Sequence, residues 1–257
     1  MRLLFTICAR AGSKGVVSKN IREFLGNPLV YYTLSSYADF VRSYSAIYEK
    51  VDLAINTDSE VLLEQCRRTK VAFTYIPREA ELGGDRVAKA DVICDTLMKM
   101  ERRNNVKYDV TVDLDVTSPL RTADDIAGCL RTLLESADAN VCYTVVSSRR
   151  QPHFNLVLKT PEGYLEKAIK SHYTARQEAP ESYDMNASIY AYRRDPLLKT
   201  AESNVFEGRC VGWQMKDTAV LDIDSEEDFE LMSVLAEYFY KKYEEYRAIR
   251  DGVENLF

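Results

Sequence analysis

Histidine is scarce in this chain, and its cysteines are not paired. There are two histidines, His153 and His172, among 257 residues. The cysteines number six, and no two of them have C-x-x-C spacing. We therefore do not expect a structural zinc site built from histidine and cysteine ligands. The cysteines lie in apolar contexts, which is typical of buried free thiols, and this favours the reducing cytoplasm as the location.

The chain also lacks an excess of positive charge and an apolar run long enough to cross a membrane. Its 34 basic and 40 acidic residues give a formal net charge of −6. Because nucleic-acid-binding proteins are usually basic, we expect no nucleic-acid partner. The apolar run at residues 3–9 is too short for a membrane span and has no cleavage pattern, so we expect no membrane partner and predict a first buried strand there. A locally positive pocket can still bind a small anion.

Short apolar runs alternate with segments of helical periodicity from residue 1 to about residue 148. This alternation predicts right-handed βαβ crossovers, hence an α/β fold with a mostly parallel sheet. In such sheets, ligands bind at the carboxyl ends of the strands. The length fits a single domain over residues 1–257.

The order of elements changes after residue 148. Two strand-like runs surround a Thr-Pro-Glu-Gly turn within residues 154–169, and a polar segment follows. We therefore predict that residues 149–185 form an inserted β-arm that covers a site or pairs with another subunit. The remaining predicted elements are strands at residues 186–192, 210–215 and 219–224 and one last helix from about Ser225 to about Arg250.

Residues 7–20 read ICARAGSKGVVSKN and directly follow the first predicted strand. Their glycines fit neither the P-loop pattern G-x-x-x-x-G-K-[ST] nor the dinucleotide pattern G-x-G-x-x-G. Because the first helix cannot begin before about Pro28, the loop is long, and long loops at strand ends tend to carry function. Glycines can turn backbone N–H groups toward an anion, and Arg10, Lys14 and Lys19 can neutralise a polyphosphate. A solvated basic loop is the alternative interpretation.

The stretch ICARAGSKGVVSKNIREFLGNPLVYYTL resembles the opening of the acylneuraminate cytidylyltransferases, or CMP-sialic acid synthetases. Their signature is roughly P-A-R-x-G-S-K-G-x-x-x-K-N followed by G-x-P-L; here Cys8 and Ala11 stand where the family often has Pro and Gly. The resemblance continues, in order, through NTDSE, PREAEL, TSPLRTADDI, NASIYAY and LDIDSEEDF. It implies a three-layer, Rossmann-like nucleotidyltransferase fold and a homodimeric enzyme. That enzyme would use Mg²⁺ to join CTP to the anomeric hydroxyl of a nine-carbon α-keto sugar acid, with release of pyrophosphate.

The resemblance also implies roles for individual residues. Lys19 and Arg10 would act on the phosphates during transfer, while Asp222 and Asp224 would bind Mg²⁺. The positions implied around CTP are Ala9, Arg10, Gly12, Ser13, Lys14, Asn20, Arg78, Asp85, Asp115 and Ser118. Without the resemblance, a surface ion pair with Glu79 or Glu81 would be the simpler interpretation of Arg78.

The metal prediction has an argument from spacing as well. In a strand at residues 219–224, alternate side chains share a face, so Asp222 and Asp224 would project together as hard oxygen ligands. Alternatively, Asp224 caps the last helix, with Glu227 as its capping-box partner. The spacing alone leaves both open, and the D-x-D before the final helix of the family favours the metal.

The sugar-binding prediction depends on a departure from the family pattern. Asp115 stands where the family usually has Gln, and the branch that activates N,N'-diacetyllegionaminate is similar in carrying Asp. We therefore expect a legionaminate-type substrate, with N-acetylneuraminate or pseudaminate as alternatives. The predicted sugar-binding residues are Asp115, Arg149, Asn155, Arg176, Gln177, Asp184, Asn186 and Ser188, the arginines because a guanidinium fork suits a carboxylate. An alternative of another class is a non-catalytic nucleotide-binding module.

Overall fold

The computed structural model describes the chain except for residues 13–15, 17, 85–86, 174, 201–203 and 217–221 and the side chain of Arg176. The strands are β1 (Arg2–Cys8), β2 (Glu23–Phe24), β3 (Asn27–Pro28), β4 (Lys50–Thr57), β5 (Thr74–Pro77), β6 (Val110–Leu114), β7 (Val141–Ser147), β8 (Val157–Lys159), β9 (Leu165–Lys167), β10 (Tyr183–Arg193) and β11 (Cys210–Gln214). The α-helices are α1 (Leu29–Tyr44), α2 (Glu60–Arg67), α3 (Lys89–Asn104), α4 (Ala123–Glu135), α5 (Arg194–Leu198), α6 (Glu226–Lys242) and α7 (Glu244–Glu254).

One large sheet organises the described residues, with the strand order β11-β7-β10-β6-β1-β4-β5. The neighbouring strands are parallel except for β10, which runs antiparallel to both β6 and β7. The prediction of an α/β fold with a mostly parallel sheet is therefore confirmed. All five residues of β6 are buried, as expected for a strand that is covered on both faces.

Helices cover the two faces of this sheet. Leu3, Phe5 and Ile7 of β1 join a core cluster with α1, α4, α6 and α7. Leu4 points to the opposite face, where α3 packs with Ile93 among its buried residues. Because successive side chains of a strand alternate between faces, β1 contributes to both layers of the core.

The carboxyl-terminal segment differs from its prediction in two ways. Residues 222–224 form an irregular loop rather than a strand, and the preceding part of the predicted strand lies outside the described residues. The single last helix is in fact two, because Tyr243 has an extended backbone (φ −116°, ψ 131°) between α6 and α7. Ser225 and Asp228 form the capping box of α6, so the alternative interpretation of Asp224 as the cap is wrong.

The long loop between β1 and α1 contains local structure that fixes its second half. A 3₁₀ turn spans Lys19–Ile21, and β2 and β3 pair as a short hairpin. The hairpin turns at Leu25 and Gly26, which have φ values of 45° and 87°. Positive φ at both turn positions matches the twist of a tight hairpin, and glycine adopts it without strain. The 3₁₀ turn is thereby held beside the ends of the central strands.

The predicted arm contains a small hairpin of its own. β8 pairs with β9 in a separate two-stranded sheet, and all of their residues are exposed.

The thiols of all the cysteines are free. Among the described residues, there is no helix whose length and apolar character would let it cross a membrane.

Candidate active site

A cavity of about 460 Å³ opens beyond the carboxyl ends of β1, β5 and β6. Five stretches supply its charged side chains: the loop after β1, the end of β5, the start of α3, the turn after β6 and the loop before α6. The residues that line it are Cys8, Arg10, Lys19, Asn20, Arg78, Leu82, Gly84, Val87, Lys89, Val92, Asp115, Thr117, Ala187, Asp222 and Asp224. We call it the nucleotide cavity. Its position agrees with the expectation for ligand sites in parallel sheets.

Lys19 connects two of these stretches. Its Nζ donates to the backbone oxygen of Ile223 at 2.6 Å and to Oδ1 of Asp224 at 3.0 Å. The Asp224 side chain is 78% exposed, whereas that of Lys19 is 16% exposed. The lysine is therefore anchored by a carbonyl, while its carboxylate partner faces solvent and can exchange with another anion.

Arg10, Asn20 and Arg78 also line this cavity. Asn20 Nδ2 donates to the backbone oxygen of Arg10 at 3.0 Å, which holds the loop against β1. Arg78 Nε donates to Oδ1 of Asn56 at 2.8 Å. Of the two surface partners considered for Arg78, Glu79 pairs instead with Lys99.

Asp222 is a carboxylate of this cavity that the positive charges of Lys19 and Lys89 stabilise only in part. Its Oδ1 is buried and has no hydrogen-bond partner among the described residues. Burial, together with the negative charges of Asp115 and Asp224, raises the pKa of Asp222 to about 7. A carboxylate whose pKa is raised by neighbouring carboxylates is a place where a cation would bind favourably.

The donor set limits which cation would fit. Within the part of the chain that the structure describes, no three His, Cys, Asp or Glu side chains are grouped as a metal cluster. Asp222 and Asp224 therefore offer two oxygen ligands rather than a complete protein cage. This suits Mg²⁺, which is commonly bound by one or two carboxylates while phosphate oxygens and waters complete its octahedron.

Lys89, the first residue of α3, forms ion pairs with two carboxylates. Its Nζ lies 2.6 Å from Oδ2 of Asp113 and 2.6 Å from Oδ2 of Asp115. Oδ1 of Asp115 accepts from the N and Oγ1 atoms of Thr117 at 3.0 and 2.8 Å. Burial raises the pKa of Asp115, but the charge of Lys89 and these hydrogen bonds outweigh it and hold that pKa well below its usual range. Asp115 is therefore a fixed, ionised group.

A second cavity of about 480 Å³ adjoins the first, and we call it the aromatic cavity. Its walls are the rings of Tyr190, Tyr192 and Phe206, with Asp91 and Asn204 among its polar side chains. The complete lining is Ala88, Lys89, Ala90, Asp91, Asp115, Ala187, Tyr190, Tyr192, Thr200, Asn204, Val205 and Phe206. The two cavities share Lys89, Asp115 and Ala187.

Several predicted site residues lie behind these cavities rather than on their walls. Ser118 is buried and donates to Oγ of Ser188 at 2.8 Å. Asn186 is buried too, and its Oδ1 accepts from Oγ1 of Thr144 at 2.6 Å. Ala9 is buried next to Asn56. These residues therefore support the walls of the cavities from behind.

Other predicted residues lie in the arm or outside the described residues. Arg149, Asn155 and Gln177 are exposed, and Asp184 accepts from Oγ of Ser148 at 2.8 Å. They line neither of the joined cavities. Gly12 faces open space. Outside the description are Ser13, Lys14, Asp85 and the side chain of Arg176.

Sequence reasoning missed Lys89 and the aromatic walls. Lys89 belongs to no recognised motif, and the signal that could have found it is its position at the start of a helix beside the strand ends. Tyr190 and Tyr192 alternate along β10, a pattern that equally fits a core strand. Phe206 comes from a segment without motif or periodicity.

The fold has a counterpart among solved structures. A solved CMP:2-keto-3-deoxy-manno-octonic acid synthetase complexed with CTP superposes with a TM-score of 0.64 and 16% identity, covering 93% of this chain and 99% of that one. At this identity, the likeness shows the fold alone. The predicted nucleotidyltransferase architecture is therefore confirmed as a fold.

Sequence comparison gives the family. The profile described as "Cytidylyltransferase" matches residues 4–249. The "Post-translational flagellin modification protein B" of Campylobacter coli is 35% identical over 238 residues, covering 91% of this chain and 94% of that protein. The "CMP-N,N'-diacetyllegionaminic acid synthase" of Campylobacter jejuni is 35% identical over 233 residues, with the same coverage. The chain belongs to the cytidylyltransferase family, and it is an enzyme of that class.

Proposed function

We propose that this enzyme transfers CMP from CTP to the anomeric hydroxyl of a nine-carbon α-keto sugar acid and releases pyrophosphate. The observation that carries the proposal is the nucleotide cavity, where Arg10, Lys19 and Arg78 converge with Asp222 and Asp224. Three cations suit a triphosphate, and two carboxylates suit its metal. The names of the relatives and the family support CTP as the nucleotide.

The cations would act by neutralisation and alignment. Nucleotidyl transfer requires the attacking oxygen, the α-phosphorus and the departing pyrophosphate to be roughly in line while negative charge accumulates. Arg10 and Arg78 would bind the triphosphate from one wall, with Asn20 bracing the loop through the backbone of Arg10. Lys19 would exchange its exposed partner Asp224 for a phosphate oxygen while keeping its bond to the Ile223 carbonyl.

Asp222 and Asp224 would hold Mg²⁺. The buried Oδ1 of Asp222, which has no hydrogen-bond partner among the described residues, fits this assignment, because a buried carboxylate oxygen without a partner is costly. When bound, Mg²⁺ supplies further neutralisation of the phosphate oxygens. The Lys19–Asp224 contact at 3.0 Å places the ammonium beside the proposed metal ligands.

The aromatic cavity would receive the sugar acid. Its rings can pack on the apolar faces of a pyranose and its acetamido groups, while Asn204 and Asp91 offer hydrogen-bond partners. We favour a legionaminate-type acid because of the 35% identical relative named for N,N'-diacetyllegionaminic acid. Acids of the N-acetylneuraminate and pseudaminate types are the alternatives, since relatives of 27% and 22% identity are named for them.

A substrate panel tests the proposal. Pyrophosphate release is measured with CTP and Mg²⁺ plus legionaminate, N-acetylneuraminate, pseudaminate or 3-deoxy-manno-octulosonate. Controls omit CTP, Mg²⁺ or the acid, or replace CTP by ATP. We expect release only in complete mixtures and the highest kcat/KM with the legionaminate. Absence of release with every acid contradicts the proposed reaction, whereas preference for another acid contradicts only the substrate assignment.

We further propose a homodimeric, cytoplasmic enzyme in which residues 149–185 act as the dimer arm. Leu158, Tyr164 and Leu165 of the arm are 59, 74 and 67% exposed, and exposed apolar clusters mark interaction surfaces. Light scattering should give twice the monomer mass for the wild type and the monomer mass for Leu158→Asp/Leu165→Asp. A monomeric wild type would contradict the proposed dimer, and a dimeric variant would contradict the role of the arm. The free thiols agree with a reducing compartment.

A further inference from the structure

One charged pair of the described residues lies at the boundary between the two cavities. Among the described residues, Lys89, Asp115 and Ala187 line both cavities. Ala187 has a φ of 50° and lies where the pairing of β10 with β7 shifts register. Its methyl group offers no charge or hydrogen bond. Lys89 is therefore the cation that faces both spaces, and Asp115 is its anionic partner.

The chemistry of the proposed reaction defines what must occupy this boundary. If CTP fills one cavity and the sugar acid the other, the attacking hydroxyl meets the α-phosphorus between them, at a distance of about 3–3.5 Å. In the cyclic form of an α-keto sugar acid, the anomeric carbon carries both that hydroxyl and the carboxylate. The carboxylate therefore lies at the boundary too, beside the triphosphate. Two anions that meet in a partly enclosed site require a cation between them.

Lys89 has the donor capacity for this position. An ammonium has three N–H donors, and the carboxylates of Asp113 and Asp115 use two of them. About a third (34%) of the Lys89 side chain remains exposed, whereas Asp113 is fully buried. Burial would lower the pKa of Lys89, but the two carboxylates raise it well above its usual value. The group is therefore a permanently charged, pre-oriented cation.

We propose that Lys89 contacts the carboxylate of the sugar acid through its remaining donor and so makes the enzyme selective for acceptors that carry a carboxylate on the anomeric carbon. This inference rests on the proposed function. It assigns Lys89 to the substrate directly, and it assigns Asp113 and Asp115 to positioning, because they hold the ammonium at the boundary.

A comparison of two acceptors tests the proposal. The substrates are the sugar acid that the wild type uses best and its C1 carboxamide, which keeps the anomeric hydroxyl but loses the charge. A charge-assisted contact predicts that the wild type prefers the acid by about 10- to 100-fold in kcat/KM. In Lys89→Met, the preference should fall to within about threefold. Lys89→Arg, which keeps the charge, should retain a preference of about tenfold or more.

Lys99→Met is the matched control. Lys99 lies on the same helix and also pairs with two carboxylates, those of Asp95 and Glu79, each at 2.8 Å, but it lines neither cavity. We expect it to keep the wild-type preference for the acid. A purely structural role of Lys89 would lower kcat/KM for both acceptors equally and leave their ratio unchanged, and that result would overturn the proposal.

The folding of Lys89→Met must be checked separately, because this variant leaves the buried Asp113 carboxylate unpaired. If circular dichroism shows that it does not fold, Lys89→Met/Asp113→Asn is compared with Asp113→Asn alone. Loss of the acid preference only in the double variant supports the proposal, and an equal preference in both overturns it. A wild type that releases no pyrophosphate would instead refute the proposed function, so the two failures are distinguishable.

Discussion

The nucleotide cavity and the aromatic cavity have similar volumes, about 460 and 480 Å³, but different walls. Charged side chains surround the first, and rings surround much of the second. The charged set comes from strand ends and their adjoining loops, whereas the rings come from β10 and from the 3₁₀ turn Val205–Glu207. The difference matches the two proposed ligands, because a triphosphate demands charge and a sugar acid demands shape with a few polar contacts.

The comparison also shows how each site is built. Lys19 reaches a carbonyl and a carboxylate from a segment 204 and 205 residues away, so that wall depends on long-range contacts between short loops. Tyr190 and Tyr192 instead stack at 6.1 Å on one strand, and Phe206 meets both rings edge-on. We expect substitutions in the first cavity to change turnover and substitutions in the second to change sugar affinity.

The largest effect should come from Asp222→Asn. Because the variant removes a negative ligand from the proposed Mg²⁺ site, kcat should fall at least about 1,000-fold. Steady-state pyrophosphate assays at several Mg²⁺ concentrations measure this. Asp138→Asn is the control, since that carboxylate is exposed and pairs with Arg209 away from both cavities. Turnover by Asp222→Asn at the wild-type rate would refute the metal assignment.

Lys19→Met should give the next largest effect. Loss of a pre-oriented cation that acts on developing phosphate charge lowers kcat by about 100- to 1,000-fold. The KM for the sugar acid should change little, because Lys19 does not line the aromatic cavity. Lys50→Met, at the start of β4 and paired with Asp52, serves as the control. An effect confined to the KM for the sugar acid would contradict the proposal that the two cavities have separate roles.

Phe206→Ala tests the proposed division of roles between the two cavities from the side of the aromatic cavity. The ring is 36% exposed and packs on Tyr143, Tyr190 and Tyr192, so its removal opens the aromatic wall. The KM for the sugar acid should rise about tenfold while the KM for CTP stays within about twofold. Phe257→Ala removes a ring of 47% exposure that packs edge-on against Tyr31, and it should leave both values unchanged. A larger change in the KM for CTP would count against the assignment.

The same division explains how much the sequence could predict. Alternating apolar runs and helical periodicity predicted the α/β sheet, and the resemblance implied Arg10, Lys19 and Asp222, which lie together in the nucleotide cavity. Phosphate and metal sites need particular residue types at fixed spacings, so such sites leave motifs in the sequence. The irregular loop at residues 222–224 and the break at Tyr243 depend on tertiary packing, which periodicity does not encode.

The sugar-binding predictions show the limit more clearly. Arg149 and Asn155 were selected for their chemistry within a polar segment, and within the single chain they do not line the joined cavities, so their assignment to the sugar acid stays a prediction. Tyr190 has an ordinary core pattern along its strand, and the antiparallel course of β10 between β6 and β7 brings it to the aromatic cavity. A strand that reverses direction within a parallel sheet cannot be recognised from local pattern alone, so its site residues are found only in three dimensions.

The smallest effect should come from Asp115→Asn, at the boundary of the two cavities, and it concerns stability. The pKa of Asp115 is held well below its usual range, because the charge of Lys89 and hydrogen bonds from Lys89 and Thr117 outweigh the opposing effect of burial. With a folded pKa below the unfolded value of about 3.9, the ionised carboxylate stabilises the fold above about pH 4. This contribution is lost as the pH falls toward the folded pKa. The asparagine variant lacks the contribution at every pH.

The difference in free energy of unfolding between wild type and variant should therefore shrink by about 1 kcal/mol or more from pH 6 to pH 3. Urea unfolding followed by the fluorescence of the single tryptophan, Trp213, measures it. A difference that stays constant over this range would mean that Asp115 is not held ionised by Lys89, and the boundary would then lack the fixed charge pair that separates the two cavities.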